Sequence, residues 1–276
     1  MSYRLVKLQF GTSKVENICE IKIDAEIKDF CVVKDYGYLI VCNDAVGLVN
    51  KDGSIDMSYA KGLNGAISIT YSPYFRKAYI FENGMNLKIL DFELRSISNF
   101  LGKTYQSKLA IQLAKVSNCK IDSTIDSKGD IYAVNSSLHK CLMFRGSEFK
   151  TYVGRGKANY SVSNKLEECS LNSPSGIDYH SGSFYIADTG NHCIRKITKG
   201  QISVIAGSPL LDNEDHIVSP TKICVKDQVA YFIDRENVWS LTLSNRQCVK
   251  VYESPYIVSI DVDDDHNLIL VENSNA

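Results

Sequence analysis

The sequence predicts an all-β protein: a six-bladed β-propeller of four-stranded antiparallel blades, in a single domain spanning residues 1–276. Two observations lead to this prediction. A unit of four short β-rich segments separated by turn residues recurs along the chain. The last copy of the unit stops after two strands, and two strand-like segments precede the first copy. A β-sandwich is the alternative all-β fold, but it gives no reason for one four-strand order to repeat.

The clearest copy of the unit runs from Ser173 to Gly207. Turn sequences HSG, DTGNH and KG separate its β-rich segments. Short alternating segments joined by tight turns are typical of an antiparallel meander. The four predicted strands are Gly176–Tyr179, Ser183–Ala187, Cys193–Thr198 and Gln201–Ala206.

The two ends of the chain each supply half of one unit. A truncated copy begins at Ile257, and strand-like segments Tyr3–Phe10 and Asn17–Ile23 stand at the N-terminus. We expect Tyr3–Phe10 to pair as an inner or middle strand with the C-terminal hairpin 257–271, so that both termini share one blade. Such closure leaves fewer exposed sheet edges. The four remaining copies begin at Asp29, Ala66, Ser123 and Thr221.

The copy at 173–207 resembles an NHL repeat. The resemblance implies a propeller that binds partners, and it extends to the whole chain only as architecture. In the other copies, Asp234 stands where Asp188 stands, whereas Asn43, Asn83 and Asn135 keep only a small polar residue at that position. The residues that match the repeat pattern are Pro174, Gly176, Ile177, Tyr185, Ile186, Ala187, Asp188, Thr189, Asn191, His192, Ile194, Arg195, Ile197, Ala206 and Gly207.

The DTGNH turn of this copy has a structural interpretation. Asp and Asn side chains bond to nearby backbone and tolerate the left-handed region, and a glycine permits positive φ. We therefore expect Asp188, Asn191 and His192 to hold the turn together, with Gly190 as the residue of positive φ.

Composition limits the classes of function. The formal net charge is −1, whereas nucleic-acid binders usually carry a basic excess. The sequence has no apolar run long enough to span a membrane and no secretory signal pattern at its start. Its nine cysteines have no close paired spacing, and many lie in apolar strand-like segments. These features predict free, buried thiols in a reducing compartment, the cytoplasm.

A search for catalytic motifs yields no catalytic residue, metal ligand or cofactor site. The five histidines form no HExxH pattern, and the sequence around Gly154–Gly156 lacks the ending of a phosphate loop. The acidic run Asp261–Asp265 lacks the Gly and Glu of a calcium loop, so we interpret it as a hairpin turn. The sequence therefore favours a non-enzymatic scaffold with a protein partner.

Two long connections predict where that partner binds. Lys103–Lys120 and Arg155–Asn172 both lead from one blade to the next, so they should project from one face as neighbours, beside the acidic crossing Asp212–His216. Two alternatives remain open. The resemblance also covers lyases or hydrolases with a metal in the central channel, and RNA-binding modules that would use the basic and tyrosine residues. The candidate binding residues are Lys103, Tyr105, Lys108, Arg155, Lys157, Tyr160, Asp188, Asn191 and His192.

Overall fold

The chain divides into two compact units. The first contains residues 1–118 and 256–276, and the second contains residues 119–255. The assignment of residues 1–276 to a single domain remains a prediction. The computed structural model describes residues 1–9, 12, 14–100, 119–146, 148–207 and 217–274.

The first unit begins with ten strands. Turns rich in Gly, Asp and Asn join many of them, and these residues favour the tight reversals of an antiparallel meander. The strands are β1 (Ser2–Leu8), β2 (Val15–Lys22), β3 (Ile27–Val33), β4 (Gly37–Cys42), β5 (Ala45–Asn50), β6 (Ile55–Lys61), β7 (Ala66–Ser72), β8 (Lys77–Glu82), β9 (Leu87–Asp91) and β10 (Ser96–Asn99).

The second unit contains the next twelve strands. Their predicted boundaries in the clearest repeat are confirmed to within one residue at each end. The strands are β11 (Ile121–Ile125), β12 (Ile131–Asn135), β13 (Lys140–Arg145), β14 (Glu148–Val153), β15 (Gly176–His180), β16 (Ser183–Asp188), β17 (Cys193–Thr198), β18 (Gln201–Gly207), β19 (Pro220–Lys226), β20 (Val229–Asp234), β21 (Asn237–Thr242) and β22 (Cys248–Glu253).

The last two strands, β23 (Ile257–Val262) and β24 (Leu268–Asn273), return to the first unit. There β1 pairs with β24 on one side and with β2 on the other, in the order β2-β1-β24-β23. The predicted closure is confirmed, with β1 as a middle strand. Its alternation places Tyr3 and Leu5 in the core, and Phe10 lies outside the described residues.

All strands belong to six four-stranded antiparallel sheets, and the fold is a six-bladed β-propeller, as the repeats predict. Each unit supplies three of the blades. The sheets of one unit pack face to face through alternating apolar side chains, such as Leu39 and Ile80 in the first unit and Ile186 and Phe184 in the second. Three short 3₁₀ turns are present among the described residues, at Asn83–Met85, Leu166–Glu168 and Thr189–Asn191.

In the described ranges we find no helix of the length and apolar character that crossing a membrane requires. All nine cysteines are free, and seven of them are buried. The interpretation of the cysteines as packing residues is therefore confirmed for those seven positions.

Candidate functional site

The DTGNH turn connects β16 to β17 in the second unit. Asp188 ends β16, Thr189–Asn191 form a 3₁₀ turn, and His192 adopts a left-handed conformation with φ 55°. The expectation that Gly190 supplies the positive φ is wrong, because His192 supplies it. Gly190 is needed for space instead: a Cβ atom there would lie 2.5 Å from Cγ of Asn172.

A fully buried ion pair connects the start of the turn to the strand that follows it. Nη1 of Arg195, on the next strand, lies 3.3 Å from Oδ2 of Asp188, and both side chains have no exposed surface. Oδ1 of Asp188 accepts the backbone N–H of Asn172 at 2.8 Å, and Oδ2 accepts Nδ2 of Asn191 at 2.8 Å. Burial raises the pKa of Asp188, while these hydrogen bonds and Arg195 act in the opposite direction.

Arg195 and Asn191 reach beyond the turn to the long connection at 155–172, called the connecting loop below. Arg195 donates from Nη1 to the carbonyl of Ser170 at 2.8 Å and from Nη2 to the carbonyl of Ser161 at 3.0 Å. Asn191 donates to the carbonyl of Asn159 at 3.0 Å. Arg195 and Asn191 thus bind three backbone carbonyls of the connecting loop.

Tyr160 completes this attachment. The Arg195 guanidinium carbon lies 5.0 Å from the centre of its ring, within the range of a cation–π interaction. Arg195 therefore contacts both Tyr160 and Asp188, two of the predicted binding residues, and their role in binding a partner remains a prediction. Arg195 belongs to the repeat pattern but was missing from the predicted binding residues. An arginine inside an apolar strand is the signal that could have found it, because a buried charge needs a partner.

The connecting loop also bonds to itself. The backbone N–H of Arg155 donates to Cys169 at 2.8 Å, and Ser161 and Ser170 form an isolated β-bridge. Cys169 and Leu171, two residues of the loop itself, are fully buried in the apolar core of the unit. These bonds make the loop a folded element.

The outer side of the connecting loop carries exposed charge of both signs. Arg155 and Lys157 are exposed near its start. Lys165 and Glu168 form an exposed ion pair at 3.2 Å near its end, and the Lys165 hydrogen bond and charge lower the pKa of Glu168. Val162 is 58% exposed between them.

His192 has a structural contact. Its Nδ1 lies 2.5 Å from the carbonyl of Val218, so the proton must be on Nδ1. His139 adopts the same left-handed conformation between β12 and β13, and its Nδ1 accepts the N–H of Ser173 at 2.9 Å, so that nitrogen is unprotonated. In both blades a histidine fastens the connection that follows.

The carboxylate at the end of β16 has counterparts in other blades. Asp234 ends β20 and accepts the backbone N–H groups of Val218 and Ser219, at 3.0 and 2.6 Å. The predicted equivalence of Asp234 and Asp188 is thus confirmed.

In two blades that match the repeat pattern less well, the strand ends one residue earlier than predicted. In the first unit Glu82 ends β8 and accepts the N–H of Asn64 at 2.7 Å. The prediction placed this position at Asn83, one residue later, and is wrong because the strand and its carboxylate end at Glu82. In the blade β3–β6, strand β4 ends at Cys42, so the predicted position at Asn43 is also one residue late. Asn135, by contrast, does end β12.

Carboxylates on the first strand of a blade tie neighbouring blades together. In the second unit Asp122 accepts the N–H of Ile177 at 2.9 Å, and Asp178 accepts the N–H of Val225 at 2.7 Å. Lys222 donates to Asp122 at 2.6 Å. These ionisable side chains therefore hold strands together.

The acidic run in the first unit has the same character. Asp261 accepts the N–H of Val32 at 2.8 Å. Asp263 accepts the N–H groups of Asp265 and Asn267 within the hairpin turn, at 2.9 and 2.8 Å. The interpretation of this run as a turn is confirmed for Asp263–Asp265, whereas Asp261 and Val262 are the last residues of β23. Across the described residues, no cluster of three or more His, Cys, Asp or Glu side chains is arranged to bind a metal ion.

Part of the predicted binding surface is not covered by the described residues. Lys103, Tyr105, Lys108 and the crossing 212–216 lie outside the described residues. The prediction that the two long connections are neighbours therefore remains a prediction.

The fold defines the class of the protein as a six-bladed β-propeller, and the comparisons refine it. A family model described as NHL repeat matches residues 171–197, which include the DTGNH turn and Arg195. Together with the six blades, this match is consistent with the NHL-repeat propellers that the sequence resembles. No curated protein matches the chain.

Solved structures share the fold at low sequence identity. A chain of a nidogen/laminin complex is 12% identical with a TM-score of 0.62, covering 99% of this chain and 100% of that one. Catalytically inactive virginiamycin B lyase from Staphylococcus aureus, bound to quinupristin, is 12% identical with a TM-score of 0.60, over 98% and 88%. An auxiliary nutrient binding protein from Bacteroides ovatus is 11% identical with a TM-score of 0.62, over 93% and 61%. At such identities the likeness shows the fold alone.

Proposed function

We propose that this protein is a non-enzymatic binding scaffold of the cytoplasm that docks a protein partner on the connecting loop. The observation that supports the proposal is the attachment of that loop by a fully buried Arg195–Asp188 pair while its outer side chains stay exposed. A loop already held in one conformation loses little entropy when it binds, so more of the contact energy appears as affinity.

The charges of the loop indicate the kind of surface that would fit. Arg155 and Lys157 place positive charge at its start, and Glu167 and Glu168 place negative charge at the 3₁₀ turn. A partner with an acidic patch beside a basic one would be complementary, which favours association rate and specificity. The net charge of −1 does not favour RNA as the ligand.

The first-strand carboxylates of the second unit support the choice of a scaffold over an enzyme. Asp122 and Asp178 each accept a backbone N–H from the neighbouring blade. This structural role accounts for the two carboxylates, so no catalytic function is needed to explain them.

A charge-reversed variant tests the docking site. Arg155→Glu with Lys157→Glu changes two exposed side chains and leaves the buried contacts intact. The matched control is Lys128→Glu with Lys199→Glu. These two exposed lysines lie in the same unit, in the β11–β12 and β17–β18 turns, at the strand ends opposite to those that the connecting loop joins. Affinity capture from the native source, quantified by mass spectrometry, should recover one set of proteins with the wild type and the control, and at least about tenfold less with the loop variant.

Both variants should melt at the wild-type temperature. Equal recovery with the loop variant and the control would refute the docking site. The scaffold role would be refuted if one of the captured molecules were a substrate that this protein converts into a product.

A further inference from the structure

Three segments of the second unit bring four cationic residues together around the β12–β13 turn. Lys120 precedes β11, Lys140 begins β13, and Arg155 and Lys157 lie at the start of the connecting loop. The backbone N–H of Lys120 donates to Oγ of Ser136 at 2.9 Å, and the N–H of Ser136 donates to the carbonyl of Lys120 at 3.0 Å. The four cationic residues are called the cationic patch below.

The side chain of Lys140 lies between the two cations of the connecting loop. Its Nζ is 3.4 Å, and its Cε 2.8 Å, from the position that a Cβ atom on Gly156 would occupy. The ammonium group therefore lies over the residue that separates Arg155 from Lys157 in the chain. Gly156 leaves this space open, and its φ of 79° is one that glycine adopts without strain.

The cationic patch has no carboxylate partner. No carboxylate in the part of the chain that the structure describes forms an ion pair with any of its four side chains. Other cations of the unit do have such partners, since Arg145 pairs with Asp130 and Lys250 pairs with Glu253. Like charges held close together repel one another, and an anion that binds among them relieves this repulsion. The cationic patch therefore favours an anionic ligand.

The surrounding surface stays positive when its acidic residues are included. The three segments, followed to the end of the 3₁₀ turn, contain two carboxylates, Glu167 and Glu168. Lys165 pairs with Glu168 at 3.2 Å. With the cationic patch this makes five cations and two carboxylates, a local charge of +3 in a chain whose net charge is −1. The positive charge is thus a local property of this surface.

The side chains around the cationic patch favour a protein ligand over a nucleic acid. Residues 136–140 and 154–157 read SSLHK and GRGK, without a tyrosine, phenylalanine or tryptophan on which a base could stack. The ring of Tyr160, further along the loop, already contacts the guanidinium of Arg195 at 5.0 Å. The half-buried Leu138 adds apolar surface, which suits the carbon atoms of a peptide.

We propose that the cationic patch binds an acidic segment of a partner protein, with the carboxylates of that segment placed among Lys140, Arg155 and Lys157. This inference rests on the proposed docking of a protein at the connecting loop, and it adds the chemistry of the docked segment. Lys120 and Lys140 lie outside the loop, so they extend the binding surface to the β12–β13 turn. Opposite charge at these positions increases the association rate and the specificity of an acidic ligand.

Fluorescence anisotropy with a labelled decaglutamate peptide and the full chain tests the proposal. Decaglutamine, of equal length but without charge, and a ten-nucleotide oligouridine are the comparison probes. Decaglutamate should bind the wild type at least about tenfold more tightly than decaglutamine, and more tightly than oligouridine at the same ionic strength. Lys120→Ala with Lys140→Ala should weaken decaglutamate binding about fivefold or more. The matched control Lys128→Ala with Lys199→Ala changes the net charge equally, at exposed lysines of the β11–β12 and β17–β18 turns, and should bind as the wild type does.

Equal binding of decaglutamate and decaglutamine would overturn the proposal, as would tighter binding of oligouridine. An equal loss of affinity in the two double variants would also overturn it, because binding would then follow the net charge of the protein. Lys140→Met keeps the aliphatic chain over Gly156, so it removes the charge alone if Lys140→Ala fails to fold. If Arg155→Glu with Lys157→Glu loses its captured partner while decaglutamate fails to bind the wild type, the docking site stands and only its acidic ligand is refuted.

Discussion

Replacing Arg195 by leucine should destabilise the second unit and release the connecting loop. The change removes the partner of the fully buried Asp188 carboxylate and the donors to the carbonyls of Ser170 and Ser161. Breaking a buried ion pair by deleting one partner costs about 3–5 kcal/mol, because an uncompensated charge stays behind. For a chain of this size, the melting temperature should fall by about 6–12 °C for a loss of about 3 kcal/mol.

The loss should depend on pH. Burial already raises the pKa of Asp188, and deleting Arg195 removes one of the groups that oppose this increase. A carboxyl whose folded-state pKa lies above its unfolded value of about 3.9 stabilises the fold below that value, and this contribution disappears as pH rises through the folded-state pKa. The melting-temperature difference between Arg195→Leu and the wild type should therefore be largest at neutral pH and decrease toward pH 4.

Thermal unfolding and limited trypsin digestion measure the two effects. Trypsin should cleave the variant faster than the wild type after Arg155, Lys157 and Lys165, because these exposed residues lie on the loop that Arg195 attaches. Lys165→Leu is the control for the melting temperature alone, since it removes an exposed ion pair of the same loop and should leave that temperature nearly unchanged.

Adding Asp188→Asn to Arg195→Leu should recover part of the lost stability, because the buried charge is then absent. A wild-type melting temperature and digestion rate for Arg195→Leu would show that the pair does not hold the loop, and the reasoning would be refuted.

Two further predictions concern closure and the thiols. Deleting residues 1–8 removes β1, which pairs with both β2 and β24, so the exposed edge should lower the melting temperature and promote self-association in size-exclusion chromatography; an unchanged, monomeric protein would contradict closure. All nine cysteines should react with a thiol reagent after denaturation without reductant, and any protected pair would exclude the reduced state. In the native protein the half-buried Cys19 and Cys248 should react first, since burial raises the pKa of Cys42 to about 11 and of Cys193 to about 12 and limits access.

Local sequence was sufficient for the architecture. Strand periodicity and turn residues are encoded within a few positions, so the repeated order of four strands and the halves at both termini predicted the propeller and its closure. The structural role of Asp188 was predictable for the same reason, because its partners Asn172, Asn191 and Arg195 lie at most 16 residues away in the chain.

Other features depended on tertiary structure. The strand-end position falls on Glu82 and Cys42 because strand boundaries in the weak copies follow the pairing of whole strands, which single residues such as Asn83 do not reveal. The role of Arg195 depends on how the connecting loop folds over it. The rings of Tyr36 and Phe92 meet at 4.7 Å although they lie more than fifty residues apart in the chain, so only the packing of two blades brings them together.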